Sequence, residues 1–220
     1  MEAKKLFVSI KDESVRMFDN KILDLLSRVH WTVPLIFWTP VVIACVYFAL
    51  FGEQSINFLS FVVYFGIGLL IWTFSEYILH RFVFHYHPTS EFGKRINFIT
   101  HGVHHDYPND SLRLVMPPAL SVPLSLPFMA LFYYLFGGLT GATFAAFSGL
   151  VIGYLSYDMM HYALHYAKWN NPYFVKLKHH HMFHHYKDPD NGYGVSSKLW
   201  DVVFGTRFSK DTKIESDTKN

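Results

Sequence analysis

The chain has 220 residues, of which 51% are hydrophobic, 19% are aromatic and only 16% are charged. Soluble domains average about 25% charged residues, so this composition favours a protein embedded in lipid. The formal net charge of +2 gives no reason to expect a nucleic-acid partner. A chain of this length fits one domain, residues 1–220. The single cysteine, Cys45, excludes an intramolecular disulfide and a thiolate cluster, which leaves nitrogen and oxygen ligands for any metal.

Long windows without Asp, Glu, Lys or Arg occur at 29–52, 54–75 and 114–157. A helix needs about 20 apolar residues to cross a bilayer, so the first two windows fit one span each and the third fits two. A glycine cluster around Gly138 separates the last two spans. The sequence therefore predicts an all-α integral membrane protein with about four transmembrane helices, at about 32–51, 56–79, 116–136 and 140–160. Four prolines at the start of the third span predict a kink or a partly re-entrant segment there.

Lys and Arg are confined to three parts of the chain, residues 1–30, 80–115 and 161–220. The loops around Glu53 and Gly138 contain neither. Because basic residues favour the cytoplasmic side, we expect both termini and the central loop to be cytoplasmic. The N-terminal segment lacks the apolar core of a signal peptide, so all spans are expected to be retained. Either a bacterial inner membrane or the membrane of the endoplasmic reticulum fits this multi-pass arrangement.

Ten of the fourteen histidines fall into four spaced groups at or just beyond the predicted cytoplasmic ends of the spans. The groups are His80-x4-His85, His101-x2-His104-His105, His161-x3-His165 and His181-x2-His184-His185. Helical positions i, i+3 and i+4 share a face, so each of the last three groups can direct its imidazoles at one point. The first pair fits a regular helix less well, and we expect it to straddle the end of a helix.

Two spans, a histidine pair and a His-x2-His-His group follow one another twice along the chain. This order indicates either an internal duplication or convergence, because the other residues of the two halves are poorly matched. Neutral imidazole binds Zn, Cu, Fe and Ni, and ten rings can supply about five ligands to each of two metals. A structural zinc site needs only four ligands. The sequence therefore predicts a cytoplasmic, histidine-rich helical cap that holds a dimetal site with an open position.

Two carboxylates are candidates to fix ligating rings through hydrogen bonds. Glu76 precedes His80 by one helical turn, and Asp158 precedes His161 in the same way. Histidine ligands commonly donate their second N–H to a carboxylate or a carbonyl. A carboxylate near the end of a span also needs a partner to offset its burial.

The remaining histidines have simpler interpretations. His30, beside Trp31, is typical of an interfacial residue, and His87, His179 and His180 are neighbours of the spaced groups rather than members. The run 179–185 taken alone could be a surface metal-scavenging tract. Three further groups on the same predicted face favour a shared centre instead.

With these motifs in place, the sequence resembles the fatty acid hydroxylase and sterol desaturase superfamily, and within it the fatty acid 2-hydroxylases. The resemblance runs from about Trp72 to Arg207. The histidine spacings carry the resemblance to the superfamily. The segments Arg-Leu-Val-Met-Pro-Pro at 113–118 and Gly-Tyr-Gly-Val-Ser-Ser-Lys-Leu-Trp-Asp at 192–201 favour the 2-hydroxylase branch.

The resemblance implies two iron ions held by the ten spaced histidines, and O2-dependent hydroxylation at carbon 2 of a fatty acyl chain. Zinc can replace iron in purified protein, because most sites bind it more tightly than Fe(II). Several relatives carry a cytochrome b5 domain, whereas these 220 residues contain no His-Pro-Gly-Gly haem motif. We therefore expect electrons from a separate cytochrome b5-like or ferredoxin protein and its reductase.

Other functions remain open at this point. Sterol or carotenoid desaturation or hydroxylation would use the same histidines with a different cavity. A membrane zinc hydrolase or a metal-handling protein is an alternative of another class. The chain contains no His-Glu-x-x-His, and its predicted spans lack an ionisable pathway, which argues against both. The acyl group can be free, thioester-linked or part of a sphingolipid.

Overall fold

A computed structural model of the protein describes residues 6–208, and all regular secondary structure in this range is helical. The α-helices are α1 (Lys21–Leu26), α2 (Thr32–Phe51), α3 (Phe58–Ile78), α4 (Glu91–Asn97), α5 (Val103–Asp106), α6 (Pro118–Leu135), α7 (Gly141–Tyr166), α8 (Pro172–Tyr186) and α9 (Leu199–Val203). Two π-helical turns, π1 (Leu79–Phe84) and π2 (Phe98–Gly102), follow α3 and α4 without a break.

Three helical stretches are long and apolar enough to cross a membrane: α2, the stretch Phe58–Phe84 that joins α3 to π1, and α6. They coincide with the first three predicted spans. The fourth predicted span, 140–160, corresponds to Thr140 and most of α7, which is not among these three stretches because its Gly, Ser, Thr and Tyr residues lower its hydropathy. Helix α6 is continuous although Pro123 and Pro127 lie within it.

Helix α7 forms the centre of the bundle and packs against α2, α3 and α6. Two glycines allow α3 and α7 to approach closely. A Cβ atom on Gly68 would lie 1.8 Å from the Ala146 carbonyl oxygen, and one on Gly149 would lie 2.0 Å from the Phe65 carbonyl oxygen. Small residues at such contacts are typical of helix pairs in membranes, where close backbone packing stabilises association. The aromatic core above this contact includes Trp72 and Tyr154, whose rings meet edge to face.

The ends of α3 and α7 support a cap built from the remaining short helices. The N-terminal segment lies along the loop 106–112, with the backbone N–H of Val8 donating to the carbonyl of Asp106 over 2.8 Å. Buried Asp24 accepts from the Met17 N–H at 2.7 Å and pairs with Arg28 at 2.6 Å. These contacts hold α1 over the cap, and its apolar side chains, including Ile22 and Leu25, stay exposed.

Candidate metal centre

The structure brings all ten spaced histidines together in two groups of five. Within each group, one ring nitrogen from every histidine lies within 4.8 Å of the others. Group 1 is His80, His85, His101, His105 and His184, and group 2 is His104, His161, His165, His181 and His185. The remaining histidines stay outside both groups: His30 contacts the Trp31 ring, His87 lies near Asp190, His179 is exposed and His180 contacts Asp201.

The π-helical geometry explains how His80 and His85 meet. In a regular α-helix, residues five positions apart point in different directions. In π1 the His85 N–H donates to the His80 carbonyl, an i to i+5 bond of 3.1 Å, which widens the turn. The two rings consequently lie 5.0 Å apart, between centroids. The pair does not straddle the end of α3, because both residues follow it: His80 lies inside π1 and His85 is its C-cap, and the π-turn brings the two rings together.

Each group takes four histidines from one half of the chain and one from the other. In the first His-x2-His-His motif, His101 and His105 join group 1, whereas His104 crosses to group 2. In the second motif, His181 and His185 join group 2, whereas His184 crosses to group 1. In each motif the first and third histidines, four residues apart, face the group of their own half, and the middle histidine faces the other group. The two groups are thus tied together by an exchange of single ligands.

The facing nitrogens have the spacing of metal ligands. The Nε2 atoms of His85 and His184 lie 3.0 Å apart in group 1, and those of His104 and His161 lie 3.0 Å apart in group 2. Two nitrogens that are each about 2.1 Å from one metal, at about 90°, would be separated by about 3 Å. The donor set therefore fits one first-row transition metal in each group.

Backbone carbonyls hold the outer nitrogens of three rings. The Nδ1 atom of His80 lies 2.5 Å from the Tyr193 carbonyl oxygen, and that of His184 lies 2.8 Å from the Asn191 carbonyl oxygen. In group 2, the Nδ1 atom of His161 lies 3.0 Å from the Leu114 carbonyl oxygen. A ring that donates from Nδ1 presents an unprotonated Nε2, which is the form that binds metal.

Glu76 acts on His80 through the backbone rather than by direct contact. Its carboxylate accepts the N–H groups of Val195 and Ser196 at 2.9 and 2.8 Å, and it also accepts the Ser196 hydroxyl. This fixes the loop whose Tyr193 carbonyl contacts His80. A carbonyl, not a carboxylate, therefore contacts the ring, and the predicted carboxylate lies one step further out.

Asp158 has the corresponding role beside His161. It accepts the Met116 N–H at 3.2 Å, and the residue two positions earlier, Leu114, supplies the carbonyl that contacts His161. The Tyr154 hydroxyl donates to the Met116 carbonyl at 3.1 Å and holds the same backbone segment. Each predicted carboxylate thus positions a backbone segment, and that segment positions the ring.

Sequence reasoning missed Asp201, which belongs to the loop that supports group 1. This fully buried carboxylate accepts the N–H groups of Tyr193 and Gly194, both at 2.9 Å, and the hydroxyl of Thr206 at 2.8 Å. His180 lies 3.2 Å from it. The signal was present in the Leu-Trp-Asp segment, but only as part of the resemblance, because nothing local relates it to a histidine.

Burial keeps the imidazoles neutral. It lowers the pKa of His104, His181 and His185 well below the usual value, and the neighbouring rings lower it further. For His161 and His184 burial lowers the pKa to about 4, although their backbone carbonyl partners oppose the shift. A site whose ligands are already deprotonated at neutral pH does not have to release protons when a metal binds.

An apolar cavity of about 280 Å³ leads to the histidines from the side of the spans. His101 of group 1 and His104 and His161 of group 2 line its inner end. Its outer walls are apolar, formed by side chains such as Leu23, Leu26, Ile99, Met116 and Leu120. Leu26 and Leu120 of this wall are exposed, and Leu120 belongs to the candidate span α6, where its side chain can meet lipid.

A helical bundle with membrane-length helices, two five-histidine groups and an apolar cavity that reaches both groups defines a membrane enzyme with a candidate dimetal centre. Comparison with protein families agrees with this class, because the fatty acid hydroxylase family model matches residues 65–206. The chain belongs to the fatty acid hydroxylase family.

Characterised relatives carry related names. The chain is 40% identical to the dihydroceramide fatty acyl 2-hydroxylase FAH1 of Arabidopsis thaliana, over 88% of this chain and 80% of that protein. It is 40% identical to the ceramide very long chain fatty acid hydroxylase SCS7 of Saccharomyces cerevisiae, over 91% of this chain and 51% of that protein. A solved structure of full-length scs7p, in which only the hydroxylase domain is visible, superposes with a TM-score of 0.81. That match has 41% identity and covers 88% of this chain and 72% of that chain.

Proposed function

We propose that this hydroxylase inserts one oxygen atom from O2 at carbon 2 of a long fatty acyl chain, using two electrons per turnover. The observation that carries the proposal is the apolar cavity, which connects exposed apolar residues beside the spans with both histidine groups. The relatives named as fatty acyl 2-hydroxylases support the same position on the chain.

The cavity has the properties required for an amphiphile with an apolar tail. Its wall includes Leu114, Val115 and Met116, while polar groups come from Thr100, next to His101 in the chain, and from Arg113, which pairs with Asp24 and Asp110. A tail bound along the apolar wall would leave the carboxyl end of the lipid near these polar groups. Carbon 2, the first oxidisable carbon after the carboxyl group, would then lie nearest to the centre. Burial of the tail also excludes water from that region.

The ten spaced histidines would hold two iron ions, for which this imidazole set is suitable. When bound, iron would supply the activation of O2 and the oxidation of the C–H bond. The chain itself has three tasks. Histidines supply neutral nitrogens, the loops fixed by Glu76 and Asp158 orient three of these rings, and the cavity aligns the acyl chain.

Electrons would come from a separate carrier, a cytochrome b5-like protein or a ferredoxin, together with its reductase. Purified, iron-loaded protein should then be inactive with O2 and lipid until these proteins are added. Sustained turnover with NAD(P)H alone, in a preparation free of other proteins, would exclude this part of the proposal.

The cap is proposed to face the cytoplasm, as the distribution of Lys and Arg indicates. Labelling of single cysteines tests this orientation. Suitable outer probes are Glu53→Cys and Leu139→Cys, because both positions are exposed, whereas a side chain at Gly52 would collide with the Phe48 carbonyl. They should react from outside intact cells, and a probe at Asn97 should not. Reaction of the Asn97 probe from outside would reverse the orientation.

Product analysis tests the reaction itself. An acyl donor deuterated only at carbon 2 is supplied with 18O-labelled O2, electron carrier and reductase, and the lipids are examined by mass spectrometry. Loss of one deuterium and gain of one labelled oxygen are expected. A desaturated product, a hydroxyl group elsewhere on the chain, or oxygen derived from water would each exclude the proposal. Free, thioester-linked and sphingolipid-linked donors are compared in parallel to identify the form that is used.

A further inference from the structure

A second cavity reaches the histidine groups from another direction. It has a volume of about 190 Å³ and is lined by His85, His101 and His105 of group 1 and by His185 of group 2. Among its lining residues only Phe84 belongs to a candidate membrane span, and it is the last residue of that span. We call this space the solvent-side cavity, in contrast to the apolar cavity described above.

The mouth of the solvent-side cavity is open and includes exposed polar side chains. Tyr86 and His87 line it, and Tyr86 is 61% exposed. The His87 side chain is 83% exposed and lies 3.4 Å from Asp190, which is also exposed. Asn97 lines the inner wall and holds the backbone by donating to the Phe84 and Tyr86 carbonyls at 2.7 and 2.9 Å. The entrance thus carries exposed polar side chains and lies outside the candidate spans, so water can reach this side of the histidine groups.

Two stacked rings separate the cavities. Phe84 and His101 are the residues that line both spaces. Their rings are nearly parallel, with 5.0 Å between centroids and an angle of 18°. These two rings form a shared wall, so both spaces lie against the same histidine centre.

The chemistry of the proposed function requires two kinds of access. The balanced reaction is R–H + O2 + 2 H+ + 2 e− → R–OH + H2O, in which a C–H and the O–O bond break and a C–O bond forms. Two protons must arrive, and one water molecule must leave, in every turnover, while the separate carrier supplies both electrons. An acyl chain that fills the apolar cavity would block that route for water and for protons.

We propose that the solvent-side cavity is a separate aqueous passage, which delivers protons to the histidine centre and removes product water while lipid occupies the apolar cavity. This inference rests on the proposed function. The Phe84–His101 wall keeps the passage apart from the acyl chain. Tyr86 and His87 form its entrance, and neither contributes to the two histidine groups.

The test blocks the passage and follows a small water-soluble ligand of the metals. Tyr86→Cys places a thiol at the entrance, and the Asn97 bond to the residue 86 carbonyl does not depend on the side chain. A bulky thiol reagent then closes the cavity. Phe92→Cys, on α4, is the matched control, because Phe92 is 78% exposed and lies outside the lining of either cavity. The native Cys45 is only 6% exposed, so reagent-treated wild type is the second control.

The probe is azide, whose association with the oxidised, iron-loaded protein is measured by stopped-flow absorbance. The apolar cavity is first filled with an acyl amphiphile that carries two fluorine atoms at carbon 2 and so has no oxidisable hydrogen there. Azide should still bind wild type filled in this way. Closing the Tyr86→Cys entrance should slow its association at least about tenfold, which corresponds to about 1.4 kcal/mol in the barrier. The two controls should keep the wild-type rate.

Either of two results would overturn the proposal. Loss of azide binding on filling the apolar cavity alone would mean that water shares the lipid route. An unchanged rate after closing the entrance would mean that the solvent-side cavity does not serve as a route. Failure of the proposed function would give a different result. Azide association would still slow when the Tyr86→Cys entrance is closed, but the labelled lipid would not be hydroxylated.

Discussion

The two histidine groups have equal numbers of rings but unequal support. In group 1, the outer nitrogens of His80 and His184 lie against carbonyls of one loop, which two buried carboxylates fix. In group 2, His161 alone has such a carbonyl among the residues that the structure describes. The Nδ1 atoms of His165, His181 and His185 are buried without a protein partner within residues 6–208. Similar sets of ligands can thus be held with different rigidity, which affects metal retention more than metal choice.

The largest effect should come from removing a ligand, and neighbouring histidines should affect different metals. His184→Ala should deplete the metal of group 1, and His185→Ala should deplete that of group 2, because these adjacent residues belong to different groups. Activity should fall by more than about 100-fold in both, beyond the usual loss from an outer hydrogen-bond partner. Metal content and anomalous scattering at the iron edge identify the remaining ion. Loss of the same ion in both variants would refute the exchange of ligands.

The rate at which a chelator removes metal from the wild-type protein should be the next difference between the groups. Rings that lack a fixed outer partner reorient more easily, so group 2 is expected to lose its metal to a chelator faster than group 1. Outer partners typically change metal affinity by about 10- to 100-fold, and a two-phase release of about that ratio is expected. His161→Ala should remove the fast phase and His80→Ala the slow one. A single phase would show that the unequal support has no consequence for retention.

Substitution of the two supporting carboxylates should have an effect of intermediate size, and each substitution should affect a different group. Glu76→Gln loosens the loop that contacts His80, and Asp158→Asn loosens the segment that contacts His161. Each should lower activity by about tenfold, at the lower end of the range for outer partners. Metal loss should be confined to group 1 in the first variant and to group 2 in the second. Equal loss from both groups would argue for a general defect in folding.

The smallest effect is expected at Thr206, which donates to Asp201 at 2.8 Å and lies 2.9 Å from the Tyr77 hydroxyl. Thr206→Val should lower the free energy of unfolding by about 1–2 kcal/mol, since it leaves a buried carboxylate with one fewer partner. Release of the group 1 metal should accelerate slightly, and that of group 2 should not change. Asp190→Asn, at an exposed position, serves as the control. If Asp190→Asn changed the free energy of unfolding and the metal release equally, the effect would not depend on the buried Asp201 contact.

Much of this arrangement can be predicted from the sequence because the signals are local. Apolar windows locate α2, α3 and α6, and the histidine spacings identify all ten members of the two groups. The crossing of His104 and His184 cannot be predicted in this way, since it depends on how α5 and α8 are oriented across the cap. Periodicity also does not predict the π-turn at His80. It does not predict the role of Asp201 either, because the fold of the loop brings the Tyr193 and Gly194 N–H groups to this carboxylate. Glu76 and Asp158 were found by spacing, but the backbone between each carboxylate and its ring was not.

The exchange of single ligands between the halves also constrains the order of assembly. A half that folded alone would hold four histidines of its own group, and its fifth would point at an absent neighbour. Neither metal can therefore reach its full set of five histidines before the two halves of the chain, including α8, have met. The first ion to bind would bring a histidine of the opposite half into place and so favour capture of the second. Loading is consequently expected to be cooperative, with half-filled protein scarce at equilibrium.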